Sequence, residues 1–275
     1  MTDPIVKADW LAKNLDRVHV LDATYYLPAD PTRSRLEFET VRIPGARLYE
    51  IDEVCDTQSD LPHMLPDAAT FARAMANLGI DGRKPVVVYD RSANHFSAPR
   101  VWFTLRVFGI MESFVLDGGL NIWKRSGHPV SSGACEATTV PERSWVLDKS
   151  RVVSGADMAA LVAARCETVL DARAQDRFDG KAPEPRPGLK SGHMPGAHCI
   201  PFTTLTDGDG RFLDAVRLRQ RFGDTAAASI VTCGSGMTAC VLALGLERID
   251  SHARLYDGSW AEWGKGELGP INSLV

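Results

Sequence analysis

The run TAAASIVTCGSGMTACVLALGL, Thr225 to Leu246, contains no charged residue. On length alone it passes for a membrane-spanning helix. Gly234, Ser235 and Gly236 at its centre argue against one continuous helix, because this residue triplet punctuates a chain rather than propagating it. The run reads instead as a buried strand from about Ala228, a turn at Gly234 to Gly236, and a helix to about Leu246. A strand that leads through a turn into a helix is the building unit of an α/β protein.

The rest of the chain repeats this unit. VHVLDATYYL, Val18 to Leu27, is echoed by ETVLDARAQDRF, Glu167 to Phe178, each an apolar strand ending in Asp22 or Asp171. Turn-forming Pro-Gly pairs follow in Ile43-Pro44-Gly45-Ala46 and Met194-Pro195-Gly196-Ala197. Next come the apolar strands Pro85 to Tyr89 and Ser229 to Thr232, which put Asp90 and Cys233 in matching positions. Last, Leu116-Asp117-Gly118-Gly119 with Trp123 matches Leu255-Tyr256-Asp257-Gly258 with Trp260 or Trp263. Helix-like segments such as Ala68 to Leu78 and Ala156 to Ala164 alternate with the strands. The expected fold class is therefore α/β, two tandem domains, each a mainly parallel sheet flanked by helices. Residues 1–130 form the first and 151–275 the second, joined by a linker at 131–150 that lacks sustained periodicity.

Composition limits the function. The chain has 275 residues, 44% hydrophobic and 24% charged, with a net charge of −4, so it offers no basic footprint for nucleic acid. Six cysteines, none in Cys-x-x-Cys spacing, suit a reducing compartment, the cytoplasm, rather than a disulfide framework. Met1 to Asp22 is interrupted by Asp3, Lys7, Asp9, Lys13 and Asp16 and does not read as an export signal. No membrane association is expected. His193, His198 and Cys199 flank a Pro-Gly turn without a second ligand pair, so no metal site is expected. Asp22 and Asp171 read as strand-end turn residues, Cys240 as a buried thiol, and most aromatic residues as core. Arg91 and Arg100 are candidates for a cleft between the halves.

Ligands of parallel sheets gather at the carboxyl ends of strands, where Cys233 sits. Two glycines let the following turn point several N–H groups inward, and the next helix adds its positive end. Both features favour thiolate over thiol. Packing as a small apolar side chain is the competing reading. Asp90 at the matching place is what is expected if only one half kept the chemistry.

At this point the loop CGSGMTAC resembles a known family, the rhodanese superfamily, and is similar to the CG-S/T-G-V-T-A signature of 3-mercaptopyruvate sulfurtransferases, with Met237 where valine is usual. The resemblance covers nearly the whole chain, an inactive first domain and an active second one. It implies that Cys233 takes sulfur from a small-molecule donor as a persulfide and passes it to cyanide or a thiol such as thioredoxin or a small thiol, with no cofactor. It also implies that the turn of Gly234, Ser235, Gly236, Met237 and Thr238 supports the charged sulfur.

RFDGKAPEPRPGLKSGHMPGA, Arg177 to Ala197, resembles the segment in which those enzymes hold the donor's carboxylate and carbonyl, which places the grip on Arg177 and Arg186. DEVCDTQSDLPHMLP, Asp52 to Pro66, resembles a segment ending in DHMLP, with Pro62 in place of Asp. By that resemblance Asp52, His63 and Ser235 form a proton relay. Thiosulfate:cyanide sulfurtransferases, the alternative donor class, typically carry Arg and Lys after the cysteine, where Gly234 and Ser235 are neutral. Cysteine phosphatases of related fold need an arginine where this chain has Ala239. A non-catalytic sulfur-binding or partner-binding module is the remaining alternative.

Overall fold

The computed structural model describes residues 3–135, 138–227 and 229–274. The expected strand start at Ala228, the linker positions Glu136 and Ala137, and positions 1, 2 and 275 lie outside the described residues. The first half holds strands β1 (Ile5–Val6), β2 (His19–Asp22), β3 (Ala46–Leu48), β4 (Val86–Tyr89) and β5 (Ser113–Leu116). The second holds β6 (Val152–Val153), β7 (Thr168–Asp171), β8 (Ala197–Cys199), β9 (Ser229–Thr232) and β10 (Arg254–Tyr256). Each half forms one five-stranded sheet, in the orders β1-β5-β4-β2-β3 and β6-β10-β9-β7-β8. Every pairing is parallel. Strand by strand the second order repeats the first, as the sequence echo requires.

Register carries the repeat down to single residues. Asp22 lies opposite Tyr89, and Asp171 opposite Thr232, so Asp90 and Cys233 leave their sheets at the same place. Each strand-end aspartate accepts a hydrogen bond from the backbone N–H two residues on, Thr24 at 3.0 Å and Arg173 at 2.9 Å, which is the expected turn. Each also pairs with an arginine, Asp22 with Arg91 and Asp171 with Arg173.

The charge-free run finds its explanation in the helix Ala239–Glu247, which is buried at every position. A helix that is apolar all round belongs inside a protein or a membrane. Here it packs against Ala98–Val107, the corresponding helix of the first half. Val101, Trp102 and Leu105 join Val241, Leu242 and Leu244 in one apolar core that crosses between the sheets. Among the described residues, no helix is long and apolar enough to cross a membrane.

The connecting segment is irregular up to a short helical turn at Lys149–Arg151. It nevertheless lies along the first half: Arg42 donates to Gly133 O at 2.7 Å and Ala134 O at 3.2 Å, and Trp145 is buried against Phe71.

Candidate active site

Cys233 follows β9 directly and is 2% exposed. Ser259 Oγ organises the start of its loop, accepting from Cys233 N at 3.2 Å and Gly236 N at 3.1 Å while donating to Tyr256 O at 2.9 Å. Among the described residues, the N–H groups of Gly234, Ser235, Met237 and Thr238 donate to no protein acceptor. Unpaired backbone donors of this kind are what an anion in such a loop binds to.

The first half shows the same device filled from within. Asp90 is 1% exposed, and its carboxylate accepts from Ser92 N at 3.0 Å, Ser97 N at 2.9 Å and Ala98 N at 2.8 Å. A side-chain carboxylate supplies the negative charge that the first loop's donors call for.

Around Cys233 the structure gathers the other candidates. A β-carbon built on Gly234 would lie 3.4 Å from Arg177 Nη2 and 3.8 Å from Arg186 Nη1, so both guanidinium groups stand directly beside the residue that follows Cys233. Arg177 is held by Glu184 at 2.5 Å, and the buried Glu184 carboxylate also takes Arg173 at 2.8 Å. Arg173 in turn lies over the ring of Trp260, 4.0 Å from its centroid. Arg186 Nη2 donates to Ser235 Oγ at 3.3 Å. Met237 and Thr238 are buried at the foot of the loop, where the helix Ala239–Glu247 begins.

His63 reaches the same point from the first half, across the boundary. Its backbone takes φ +61°, a conformation that costs a non-glycine residue energy, and it turns Nδ1 to within 3.0 Å of Ser235 Oγ. Burial, together with Arg100 and Arg186 and against the opposing pull of Asp52, drives its pKa down to about 4, so the imidazole is neutral at ordinary pH. Asp52 Oδ1 stands 3.9 Å from His63 Nε2, beyond hydrogen-bond reach. The Tyr25 hydroxyl occupies the closer place, 2.9 Å from Nε2.

Of the two arginines expected at a cleft, Arg100 is there: it donates to Asp257 Oδ1 at 2.6 Å, to Gly236 O at 3.3 Å and to His63 O. Asp257 also accepts from Leu65 N at 2.7 Å. Arg91 turns into its own half, toward Asp22 and Val41 O. Cys240 is fully buried, and burial pushes its thiol up to about 12, leaving it a neutral packing group. Among the described residues, no group of three or more His, Cys, Asp or Glu side chains is placed to hold a metal ion.

Sequence reasoning missed Tyr25, Glu184, Asp257 and Ser259. Tyr25 did carry one signal, its place just past the carboxyl end of β2; Asp257 and Ser259 likewise follow β10. Glu184 lay inside the quoted arginine segment, but nothing in its spacing marked it as buried.

Comparison with known proteins agrees with this architecture. The family described as rhodanese-like domain matches residues 7–126 and again 154–265. A 3-mercaptopyruvate sulfurtransferase of Escherichia coli K12 is 39% identical, covering 94% of this chain and 94% of that protein. Thiosulfate/3-mercaptopyruvate sulfurtransferase 1, mitochondrial, of Arabidopsis thaliana is 37% identical over 99% of this chain and 79% of its own length. Among solved structures, SseA of Escherichia coli, described with the rhodanese fold of 3-mercaptopyruvate sulfotransferases, superimposes with a TM-score of 0.84 at 36% identity. That match covers 95% of this chain and 100% of SseA.

Proposed function

This chain belongs to the rhodanese family, and from that premise we propose that it is a sulfurtransferase that takes sulfur from 3-mercaptopyruvate, releases pyruvate, and passes the sulfur through a Cys233 persulfide to a thiol or cyanide. Relatives that carry the mercaptopyruvate name match almost the entire chain at 38% to 39% identity. The observation that carries the reading is local: two guanidinium groups stand beside an uncharged Gly234, next to the buried thiol of Cys233. That arrangement suits a donor with one carboxylate, gripped in a planar fork away from the reacting sulfur.

In the first step the Cys233 thiolate attacks the donor's sulfur. The S–S bond forms as the donor's C–S bond breaks, and the electron pair leaves on the three-carbon fragment as pyruvate enolate. The proton of the donor's S–H ends on the enolate's terminal carbon, giving pyruvate and an anionic persulfide on Cys233. An acceptor thiolate then attacks the outer sulfur, leaves as a persulfide, and returns Cys233 as thiolate. Arg177 and Arg186 hold the donor, the turn from Gly234 to Thr238 supports the charged sulfur, and Ser235 with the neutral His63 supplies a path for the proton. Asp52 is the carboxylate at the end of that path.

The acceptor we infer is a protein or small-molecule thiol, thioredoxin among them, and the cytoplasm is the compartment that keeps the chain's thiols reduced. The Arabidopsis relative carries a mitochondrial name, so cell fractionation is the test: recovery of the native protein from an organelle overturns the cytoplasmic assignment.

The function is tested by comparing pyruvate release from 3-mercaptopyruvate with thiocyanate formation from thiosulfate and cyanide, with Cys233→Ser as control. The expected result is preference for mercaptopyruvate and no turnover by the variant. Preference for thiosulfate overturns the donor assignment. A folded Cys233→Ser protein with normal rate removes the nucleophile.

A further inference from the structure

Beside Cys233 runs a chain of charges of alternating sign. Asp171, at the end of β7, takes Arg173 through both carboxylate oxygens, from Nε at 3.1 and 3.0 Å and from Nη2 at 2.7 Å. Arg173 Nη1 donates to Glu184 Oε1 at 2.8 Å, and Glu184 Oε2 accepts from Arg177 Nη2 at 2.5 Å. The side chains of Asp171, Arg173 and Glu184 are each 1% exposed, and only Arg177, at 25%, reaches the surface. Arg186 lies outside this chain: it donates to Ser235 Oγ and, among the described residues, pairs with no carboxylate.

Three guanidinium groups therefore face two carboxylates, and one positive charge is left over for a ligand. Neighbouring charges do not alter that balance. Arg100 closes on Asp257, and Lys181 on Asp179. Asp52 and Asp176 are exposed, where water and salt screen them.

Glu184 acts on Arg177 in two ways. It fixes the fork through Nη2 and, at 3.3 Å, through Nε, and it cancels the fork's charge. The N–H groups of Arg177 Nη1 make no hydrogen bond to protein among the described residues, so the neutralised fork can still donate to a ligand. We propose that Glu184 is a specificity-determining residue for donor charge: by neutralising Arg177 in place it holds the site to one net positive charge, which matches a monoanion such as mercaptopyruvate and disfavours a dianion such as thiosulfate. A carboxylate that only anchored Arg177 would affect every donor alike. One that sets the charge affects each donor according to its own.

This inference rests on the function proposed above, and its test separates the two. Glu184→Gln keeps the size of the side chain and an acceptor oxygen for Arg177 while removing the charge. The expected result is a roughly tenfold rise in the ratio of kcat/KM for thiosulfate to kcat/KM for mercaptopyruvate, the effect of one unit charge acting over several ångströms near a protein surface. Glu184→Asp keeps the charge and shortens the reach, so both rates should fall with the ratio left at the parent's value. A parallel fall for both donors in Glu184→Gln overturns the proposal, and so does a Glu184→Asp ratio that moves as far as that of Glu184→Gln.

Alkylation of Cys233 by uncharged iodoacetamide, followed by mass spectrometry of its peptide, reads the same charge without turnover. Pyruvate should protect the parent protein at lower concentration than sulfate does, and in Glu184→Gln sulfate should gain roughly tenfold on pyruvate. Tighter protection by sulfate in the parent overturns the charge balance itself, with no variant required to fold. A parent protein that turns over neither donor overturns the function proposed above, and the order of protection then decides the charge inference alone.

Discussion

At Gly236 the backbone takes φ +78°, and a β-carbon there would stand 2.7 Å from Asp257 Oδ1 and 2.8 Å from Arg100 Nη1. Only glycine meets both demands, the left-handed backbone and the close approach of an ion pair. Gly236→Ala should therefore lower stability by about 1–3 kcal/mol, read from urea unfolding, and reduce turnover more than its folded fraction explains. An unchanged midpoint would show that the pair yields easily.

His63 belongs to the same scale. Its folded pKa, near 4, lies below the ordinary 6.5, so between those values the unfolded chain binds more protons than the folded one. Stability thus rises with pH across that window, and is lost as pH falls from 6.5 toward 4, with no further loss from this group below it. The His63 share amounts to up to about 3 kcal/mol. His63→Asn, which tolerates the left-handed backbone, should flatten the profile of unfolding free energy over that range; an equally steep profile in the variant would assign the slope to other groups. The relay has the matching expectation in turnover, where the acid limb due to His63 should lie near pH 4 rather than 6.5.

Between strand and helix, the two halves solve one problem twice. Each sends a parallel strand into a loop with backbone N–H groups to satisfy and then into a buried helix. The first half satisfies those groups with Asp90, which also occupies the amino end of the helix Ala98–Val107. Asp90→Ala strands three backbone donors, two of them buried, and should cost about 2–4 kcal/mol by thermal unfolding. A variant as stable as the parent would mean that water replaces the carboxylate.

This level is also where the sequence was most legible. Strand-ending Asp22 and Asp171, the Pro-Gly turns and the pairing of Asp90 with Cys233 are local signals with fixed spacing, and the register keeps them aligned. The site was legible in a different way. Nothing local connects His63 with Ser235, or Arg177 and Arg186 with Gly234; only the family resemblance suggested that they meet. Tyr25 was not legible, because a hydroxyl meets a distant imidazole only through tertiary placement. Family pattern and geometry diverge at the 3.9 Å gap between Asp52 and His63, where the hydrogen bond of Nε2 goes to the Tyr25 hydroxyl instead.

For the whole molecule, Arg100 and Asp257 form a buried ion pair between the halves, each side chain 3% exposed. Removing one member leaves the other charged and dry, so Arg100→Met should cost about 3–5 kcal/mol. The double variant Arg100→Met, Asp257→Leu should recover part of the stability but not the turnover, since Arg100 also holds the His63 carbonyl. Recovery of both in the double variant would show that the pair only fills space.

The connecting segment has a consequence for how the halves can part. A free chain of that length would allow about 25 Å of play. Here it is anchored through Val140 N to Ala76 O at 3.1 Å and Asp148 N to Val107 O at 2.7 Å, so almost no slack remains before β6 begins. The second half is moored rather than tethered. Its local concentration at the seam stays high even when a fastening is cut.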